Sequence, residues 1–226
     1  MKKRRKVSEI CIIGLGRYGQ SVVDHLLTKS NDISLTLIDA DEKNLTSFRN
    51  DVDKIYVADA ADPKALQSIG LENCDAVVVA TGDNVEIIAT LQELGIKQII
   101  ARANNVRHSR VLKQIGVDVI ISPEEEAGAK TALIVASQTF MSYSQNLDEV
   151  SDGFIVGSVY IKNKRISGKS IKDLNIRKLN ISIVLIKRGK TSFLPEGNFT
   201  LMEGDMITVI GKVEDLNKGF EWFSKI

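Results

Sequence analysis

Ile10-Cys11-Ile12-Ile13-Gly14-Leu15-Gly16-Arg17-Tyr18-Gly19 is the stretch that decides the fold. A short apolar, β-rich run meets a G-x-G-x-x-G turn. The turn opens onto a helical pattern over Gly19–Lys29, in which Val22, Val23, Leu26 and Leu27 make one stripe. Each glycine has its own task in such a junction. Gly14 permits the tight turn, Gly16 lets a pyrophosphate approach the backbone because it has no Cβ, and Gly19 lets helix and strand pack closely. The N–H groups of the helix start then bind the anion. Asp39 closes the next β-rich run, Leu37-Ile38-Asp39-Ala40, 20 residues after Gly19. A carboxylate there accepts hydrogen bonds from a ribose diol and repels a 2′-phosphate, which argues against NADP.

Working outward, β-rich runs and helical patterns alternate from Val7 to about Met141. The runs are Glu9–Ile13, Ser34–Ile38, Lys54–Val57, Ala76–Ala80, Gln98–Arg102 and Val119–Ile121. The helical patterns are Gly19–Lys29, Asp41–Asn50, Pro63–Ile69, Asn84–Leu94, Val106–Ile115 and Glu124–Met141. Ile12-Ile13 and Val77-Val78-Val79 are apolar on both faces, as strands between two helix layers must be. Six β and six α in alternation predict an α/β fold, a Rossmann-like doubly wound parallel sheet. After Tyr143 the rhythm changes. Ser144 to Ser151 is polar; Phe154–Ile161, Ile181–Lys187 and Met206–Ile210 are β-rich; and Val213–Phe223 reads as a closing helix. The expected organisation is therefore a nucleotide-binding domain over residues 1–143 and a small α+β domain over 144–226, the second small enough to gain from dimerisation.

Composition bounds the function classes. The 226 residues are 43% hydrophobic and 26% charged, with a formal net charge of +1. That balance excludes a highly basic nucleic-acid binder and an acidic disordered tail. Cys11 and Cys74 both sit in or beside apolar runs, which is neither a disulfide framework nor a metal site and suits a reducing, cytoplasmic compartment. No apolar run approaches the length of a membrane span. The cluster Lys2-Lys3-Arg4-Arg5-Lys6 is expected to be a solvated basic arm.

In an open α/β sheet the ligand crevice lies at the carboxyl ends of the strands. Asp59-Ala60 ends the third run, on the adenine side, and Thr81-Gly82-Asp83 ends the fourth. Arg102 ends the fifth, where it could reach a phosphate or form a surface ion pair. Arg17 and Tyr18 lie within the glycine turn. The Arg17 guanidinium projects outward and could clamp a terminal phosphate, including one held by a neighbouring subunit; a solvent-facing arginine is the alternative. Glu124 opens the last helical pattern behind Pro123, either complementing the helix dipole or holding a cation on nucleotide phosphates. His25 and His108 are the only histidines, and no nucleophile–base pair or paired catalytic carboxylates appear. The same fingerprint serves NAD(H)-dependent oxidoreductases, so that class, or an NAD(H)-sensing regulator, is the alternative. A Rossmann-type redox repressor would need a winged-helix segment, and none is visible. The reading is a sensor that binds nucleotide without consuming it, not an enzyme.

The residues from Ile12 to Gly19, with Asp39, Asp59-Ala60, Leu66-Gln67-Ser68-Ile69-Gly70-Leu71 and Ile121-Ser122-Pro123-Glu124, resemble an RCK_N (regulator of potassium conductance) domain. Gly168-Lys169-Ser170-Ile171-Lys172-Asp173-Leu174-Asn175-Ile176-Arg177 and Leu201-Met202-Glu203-Gly204-Asp205 resemble RCK_C. The resemblance covers nearly the whole chain, with one copy of each domain, and is to the KtrA/KtrC type more than to the tandem TrkA type. It implies a cytoplasmic gating subunit of a Ktr/Trk potassium uptake system, held peripherally at the membrane by a separate potassium-translocating subunit and assembled as an octameric ring of dimers. It implies ATP/ADP exchange in each N-domain, Arg17 reaching the terminal phosphate in the adjacent subunit, a cation near Glu124, and a crossover between dimer partners led into by Glu124–Met141. Asp59 stands where KtrA proteins commonly have Asn, and this keeps NAD(H) open as a ligand. The family's C-domain can bind cyclic di-AMP, for which Ile171, Asp173, Arg177 and Pro195 are the matching positions. Ser182 departs from that pattern, where Asn is common.

Overall fold

The structure is a computed structural model that describes residues 8–29 and 32–225; the basic cluster Lys2–Lys6 lies outside the described residues. Two compact units divide the chain, residues 1–125 and 126–226.

In the first unit the expected alternation forms β1 (Ser8–Ile13), α1 (Arg17–Lys29), β2 (Ile33–Asp39), α2 (Glu42–Leu45), β3 (Lys54–Val57), α3 (Pro63–Ile69), β4 (Ala76–Val79), α4 (Val85–Glu93), β5 (Ile99–Arg102), α5 (Val106–Gln114) and β6 (Val119–Ile121). All pairings are parallel, in the order β3-β2-β1-β4-β5-β6, so the order reverses between β1 and β4. Strand alternation sorts β1 into two cores. Ile12 packs with Leu15, Val23, Leu37 and Phe48 on one face, while Cys11 and Ile13 pack with Leu66, Val77, Val79 and Ile88 on the other. Both faces are thus covered, as the doubly apolar strands require. The helical pattern Asp41–Asn50 yields only one α-turn, α2, followed by a 3-10 turn over Thr46–Phe48. Asp62 caps α3 by accepting from the Lys64 N–H at 2.9 Å, and Gly70, at φ +80°, ends it.

The pattern over Glu124–Met141 is two helices and not one: α6 (Pro123–Val135) and α7 (Gln138–Tyr143). Ser137 makes the break. Its backbone is extended, and its hydroxyl accepts from the Phe140 N–H, giving α7 a cap that competes with continuing α6. No side chain of α6 is buried, whereas Phe140 of α7 is fully buried. The compact units therefore place α7 and all of α6 beyond Glu125 with the second unit, ahead of the 143/144 position expected from composition.

The second unit holds β7 (Ser144–Ser151), β8 (Phe154–Tyr160), β9 (Ser182–Arg188), β10 (Thr191–Phe193), β11 (Met206–Lys212) and α8 (Val213–Ser224). These five strands form an antiparallel sheet in the order β10-β9-β11-β8-β7. The stretch Ser144–Ser151, read from the sequence only as polar, is an edge strand. Leu147 is its one buried residue, and Asp152-Gly153, both at positive φ, turn it into β8. α8 lies on the sheet through Leu216, Phe220 and Phe223, and the Phe140 and Phe220 rings meet edge to face at 5.6 Å. A Cβ on Gly157 would come within 2.7 Å of the Phe220 ring, so the missing side chain sets how closely α8 approaches.

Asp205, 1% exposed, is the unit's buried charge. Its oxygens accept from Arg188 Nε at 2.7 Å, from a terminal Arg188 nitrogen at 2.8 Å and from the Met202 N–H at 2.8 Å. Burial pushes this carboxyl up, but the Arg188 and Met202 hydrogen bonds and the guanidinium charge together outweigh it and hold it below the ordinary range. A carboxyl lowered in the folded state stabilises above its unfolded range, and that stability is lost as pH falls through the folded one. Asp205→Asn is expected to cost about 1–3 kcal/mol at neutral pH and to flatten the acid limb of stability, read by urea denaturation from pH 7 down to pH 3. An unchanged midpoint and acid limb would show that the pair contributes nothing.

Candidate nucleotide-binding site

The three glycines of the turn between β1 and α1 differ in their surroundings. Gly14 has φ +89°, and a Cβ on it would sit 2.4 Å from Thr81 Cγ2. A Cβ on Gly19 would fall 1.9 Å from the Gly14 carbonyl oxygen, so the first turn of α1 rests directly on the turn that precedes it. A Cβ on Gly16 would meet nothing within 4 Å. Gly16 is exposed at the helix start, and no acidic side chain stands in the first turn of α1 to occupy the positive end of the helix dipole. The open space over Gly16 is what a diphosphate needs.

Asp39 holds this turn in place. One carboxylate oxygen accepts from the Leu15 N–H at 2.6 Å; the other accepts from the Asp41 N–H at 2.8 Å and from Asn44 Nδ2 at 3.2 Å. The Gly14 N–H donates to the Ile38 carbonyl at 2.8 Å. Beside them a crevice of about 130 Å³ is lined by Gly14, Asp39, Asp59, Ala60 and Thr81, with Ile38 and Ile87 among its apolar walls. The Asp59 carboxylate accepts from the Ala61 N–H at 2.9 Å, shaping the turn after β3. Five of the predicted residues therefore meet at one end of the sheet, where the strand order reverses.

A second group adjoins the glycine turn. Arg102, at the end of β5, places its guanidinium 5.9 Å from the centre of the Tyr18 ring and forms an ion pair with Glu124. Of the two roles open to Arg102, the structure contains the ion pair. Its Nε is buried without a partner, leaving hydrogen-bonding capacity unused. Among the described residues no three His, Cys, Asp or Glu side chains gather as a metal site, and Glu124 is engaged by Arg102. Arg17 is exposed at the first position of α1, with no hydrogen bond or ion pair among the described residues.

Two asparagines that the sequence did not single out tie together the loops beside the crevice. Asn84, 1% exposed, donates from Nδ2 to the Thr81 carbonyl at 3.0 Å and the Arg102 carbonyl at 2.8 Å. Asn104 Nδ2 donates to the Gly82 carbonyl at 2.7 Å, and a Cβ on Gly82 would crowd that amide at 3.0 Å. In sequence, Asn84 is indistinguishable from a helix cap, yet it makes no side-chain cap bond to α4. His25 and His108 bind local backbone, His25 Nδ1 to the Ser21 carbonyl at 2.7 Å and His108 Nδ1 accepting from the Asn104 N–H at 3.3 Å. Cys11 is buried, and that burial, with Cys74 adding to it, drives its thiol well above the ordinary range; burial also raises Cys74. Both are free thiols of low reactivity.

In the second unit, Ile171, Arg177 and Pro195 line a cavity of about 510 Å³ together with Ser182. Asp173 does not join them. Its carboxylate accepts the Ser170 hydroxyl, and it lines a different cavity.

Residues 10–123 match the TrkA-N domain and residues 156–224 the TrkA-C domain. The chain is 33% identical over 216 residues to Ktr system potassium uptake protein C of Bacillus subtilis, covering 93% of this chain and 95% of that protein. It is 29% identical over 221 residues to Ktr system potassium uptake protein A of the same organism, covering 95% and 96%. Among solved structures, the GsuK RCK domain superposes with a TM-score of 0.64 at 14% identity, covering all of this chain and 51% of that one, a likeness of fold.

Gly16→Val is expected to fold normally and lose nucleotide binding, because its side chain enters only the space left for phosphate. Gly19→Ala drives a methyl against backbone and is expected to destabilise by about 1–3 kcal/mol or more. Chemical denaturation and ligand titration of both variants separate the two roles; nucleotide affinity unchanged in folded Gly16→Val would move the site elsewhere.

Proposed function

The chain belongs to the TrkA-N/TrkA-C family of Ktr and Trk potassium uptake proteins, and from that premise we propose that it is the nucleotide-sensing regulatory subunit of a Ktr/Trk-type potassium uptake system. The observation that carries the reading is the open space over Gly16 at a helix start, beside a crevice lined by Asp39 and Asp59. Relatives named for potassium uptake support a binding role over a catalytic one. No helix among the described residues is long and apolar enough to cross a membrane; in this reading a separate membrane-embedded subunit carries the translocation and is met at its cytoplasmic face. The chain assembles with copies of itself, as an octameric ring of dimers, and α6, none of whose side chains is fully buried, leads into the crossover between dimer partners.

The ligands are ATP and ADP, and exchange between them reshapes the ring. A sensor must bind its ligands with different free energies in two conformations, since equal binding shifts nothing. ATP and ADP differ in the terminal phosphate. The turn's N–H groups belong to one subunit and serve the inner phosphates, which leaves the outer one to Arg17, exposed and without partner among the described residues. Glu124 holds a cation near the phosphates once a ligand draws Arg102 away from it. The cavity around Ile171, Arg177 and Pro195 takes cyclic di-AMP, with Asp173 outside it. NAD(H) is the second reading, favoured by Asp59 standing in the crevice beside Asp39.

Titration with ATP, ADP, NAD and NADH, combined with particle sizing and a watch for NADH oxidation, tests the assignment; substrate-dependent turnover would overturn it. Arg17→Ala is expected to leave ADP affinity near wild type while weakening ATP about tenfold, the loss of a charge-assisted contact, and to uncouple ATP from ring shape and potassium flux. Arg17→Lys should restore only part, because an ammonium lacks the planar fork. Equal losses for both nucleotides would place Arg17 on the inner phosphates.

A further inference from the structure

The cavity that Asp173 lines, about 720 Å³ in the second unit, is chemically lopsided. Its ionisable lining is Lys164, Arg165, Lys169 and Lys225 against the single carboxylate of Asp173. Lys164, Arg165 and Lys169 make no ion pair among the described residues; Lys225 has only a 3.9 Å approach to Glu221, with both side chains more than half exposed. Such a pair neutralises little. The segment from Lys162 to Lys172 holds five cations and no acid, although the chain as a whole is nearly neutral.

The cavity is built into the fold. Asn163, 7% exposed, donates from Nδ2 to the Trp222 carbonyl at 2.8 Å, accepts from the Arg165 N–H at 2.9 Å, and gives its own N–H to the Phe223 carbonyl at 3.1 Å. One side chain thereby pins the basic loop to the end of α8 before any ligand arrives. Ile166, 2% exposed, and Leu174 supply apolar lining, and Trp222 supplies an indole wall. Exposed, unpaired cations beside an aromatic wall in a concave setting suit a small anionic ligand with a flat ring better than a broad partner surface.

We propose that this cavity is a second effector site, taking a phosphorylated small molecule with a planar ring, of the nucleotide class, with Trp222 packing against the ring and Lys164, Arg165 and Lys169 binding the phosphates. It is separate from the crevice at Asp39 and from the cavity of Arg177, and it does not depend on the function proposed for either.

Trp222 is the chain's single tryptophan, so it reports on the site directly. The experiment titrates the full chain carrying Gly16→Val and Arg177→Ala, which removes the other two sites, with AMP, ATP and inorganic tripolyphosphate, reading Trp222 emission. Expected are saturable quenching by AMP and ATP, weakening with salt, and an affinity about tenfold lower when Arg165→Ala and Lys169→Ala are added, as for two lost exposed charge contacts. No saturable response, or a response indifferent to these two substitutions, overturns the site. Equal affinity for tripolyphosphate and ATP overturns the ring contact. Quenching by phosphatidylserine vesicles, with none by AMP or ATP, replaces the small ligand with a membrane surface and likewise overturns the proposal.

Discussion

The first unit depends on how closely the start of α1 can approach the turn that feeds it. With a hydrogen in place of a side chain at Gly19, the helix rests on the Gly14 carbonyl, where a methyl carbon would be 1.9 Å from the oxygen. This approach sets where the N–H groups at the head of α1 point, and so where an anion can sit. It also lets Leu15 and Val23 reach the same core as Ile12 and Leu37. Asp39 completes the constraint from the neighbouring strand by holding the Leu15 N–H. An acid in this position is usually assigned to the ligand alone; here it also braces the turn, so its removal cannot be read as a loss of ribose contacts without a deoxyribose comparison.

The second unit solves a different problem. A small antiparallel sheet packed against α8 has little interior, and it uses that interior fully: Phe140, Phe220 and Phe223 are completely buried, and Gly157 makes room for the ring above it. A buried carboxylate in such a space is costly unless both of its oxygens are engaged. Asp205 meets that condition with Arg188 and the Met202 N–H, and Arg188 extends the network to the Thr200 carbonyl at 2.8 Å and to the face of Phe199.

What could be read from the sequence was what is local. The glycine turn, Asp39 and the strands apolar on both faces carry their meaning within a few residues, and β3, α3 and β6 have the bounds their patterns predict. β7 was illegible because an edge strand needs only one buried side chain, Leu147, and eight mostly polar residues look like a linker. The break between α6 and α7 was illegible because the stripe of apolar residues continues across Ser137, whose hydroxyl decides the outcome. At the site, the crevice-lining positions Gly14, Asp39, Asp59, Ala60 and Thr81 could be placed from strand ends alone. The ion pair of Arg102 with Glu124 was one of two roles open to that arginine, and the bonds of Asn84 and Asn104 join segments that only the folded sheet brings together.

Asn84 gives that crevice a mechanical property. A single amide, on a residue only 1% exposed, binds the carbonyl at the end of β5 and the carbonyl of the loop after β4. The two loops are therefore linked as one stiff rim. The backbone at Arg102, whose guanidinium pairs with Glu124, and the backbone at Thr81, which lines the crevice, are thereby coupled through two hydrogen bonds of one side chain.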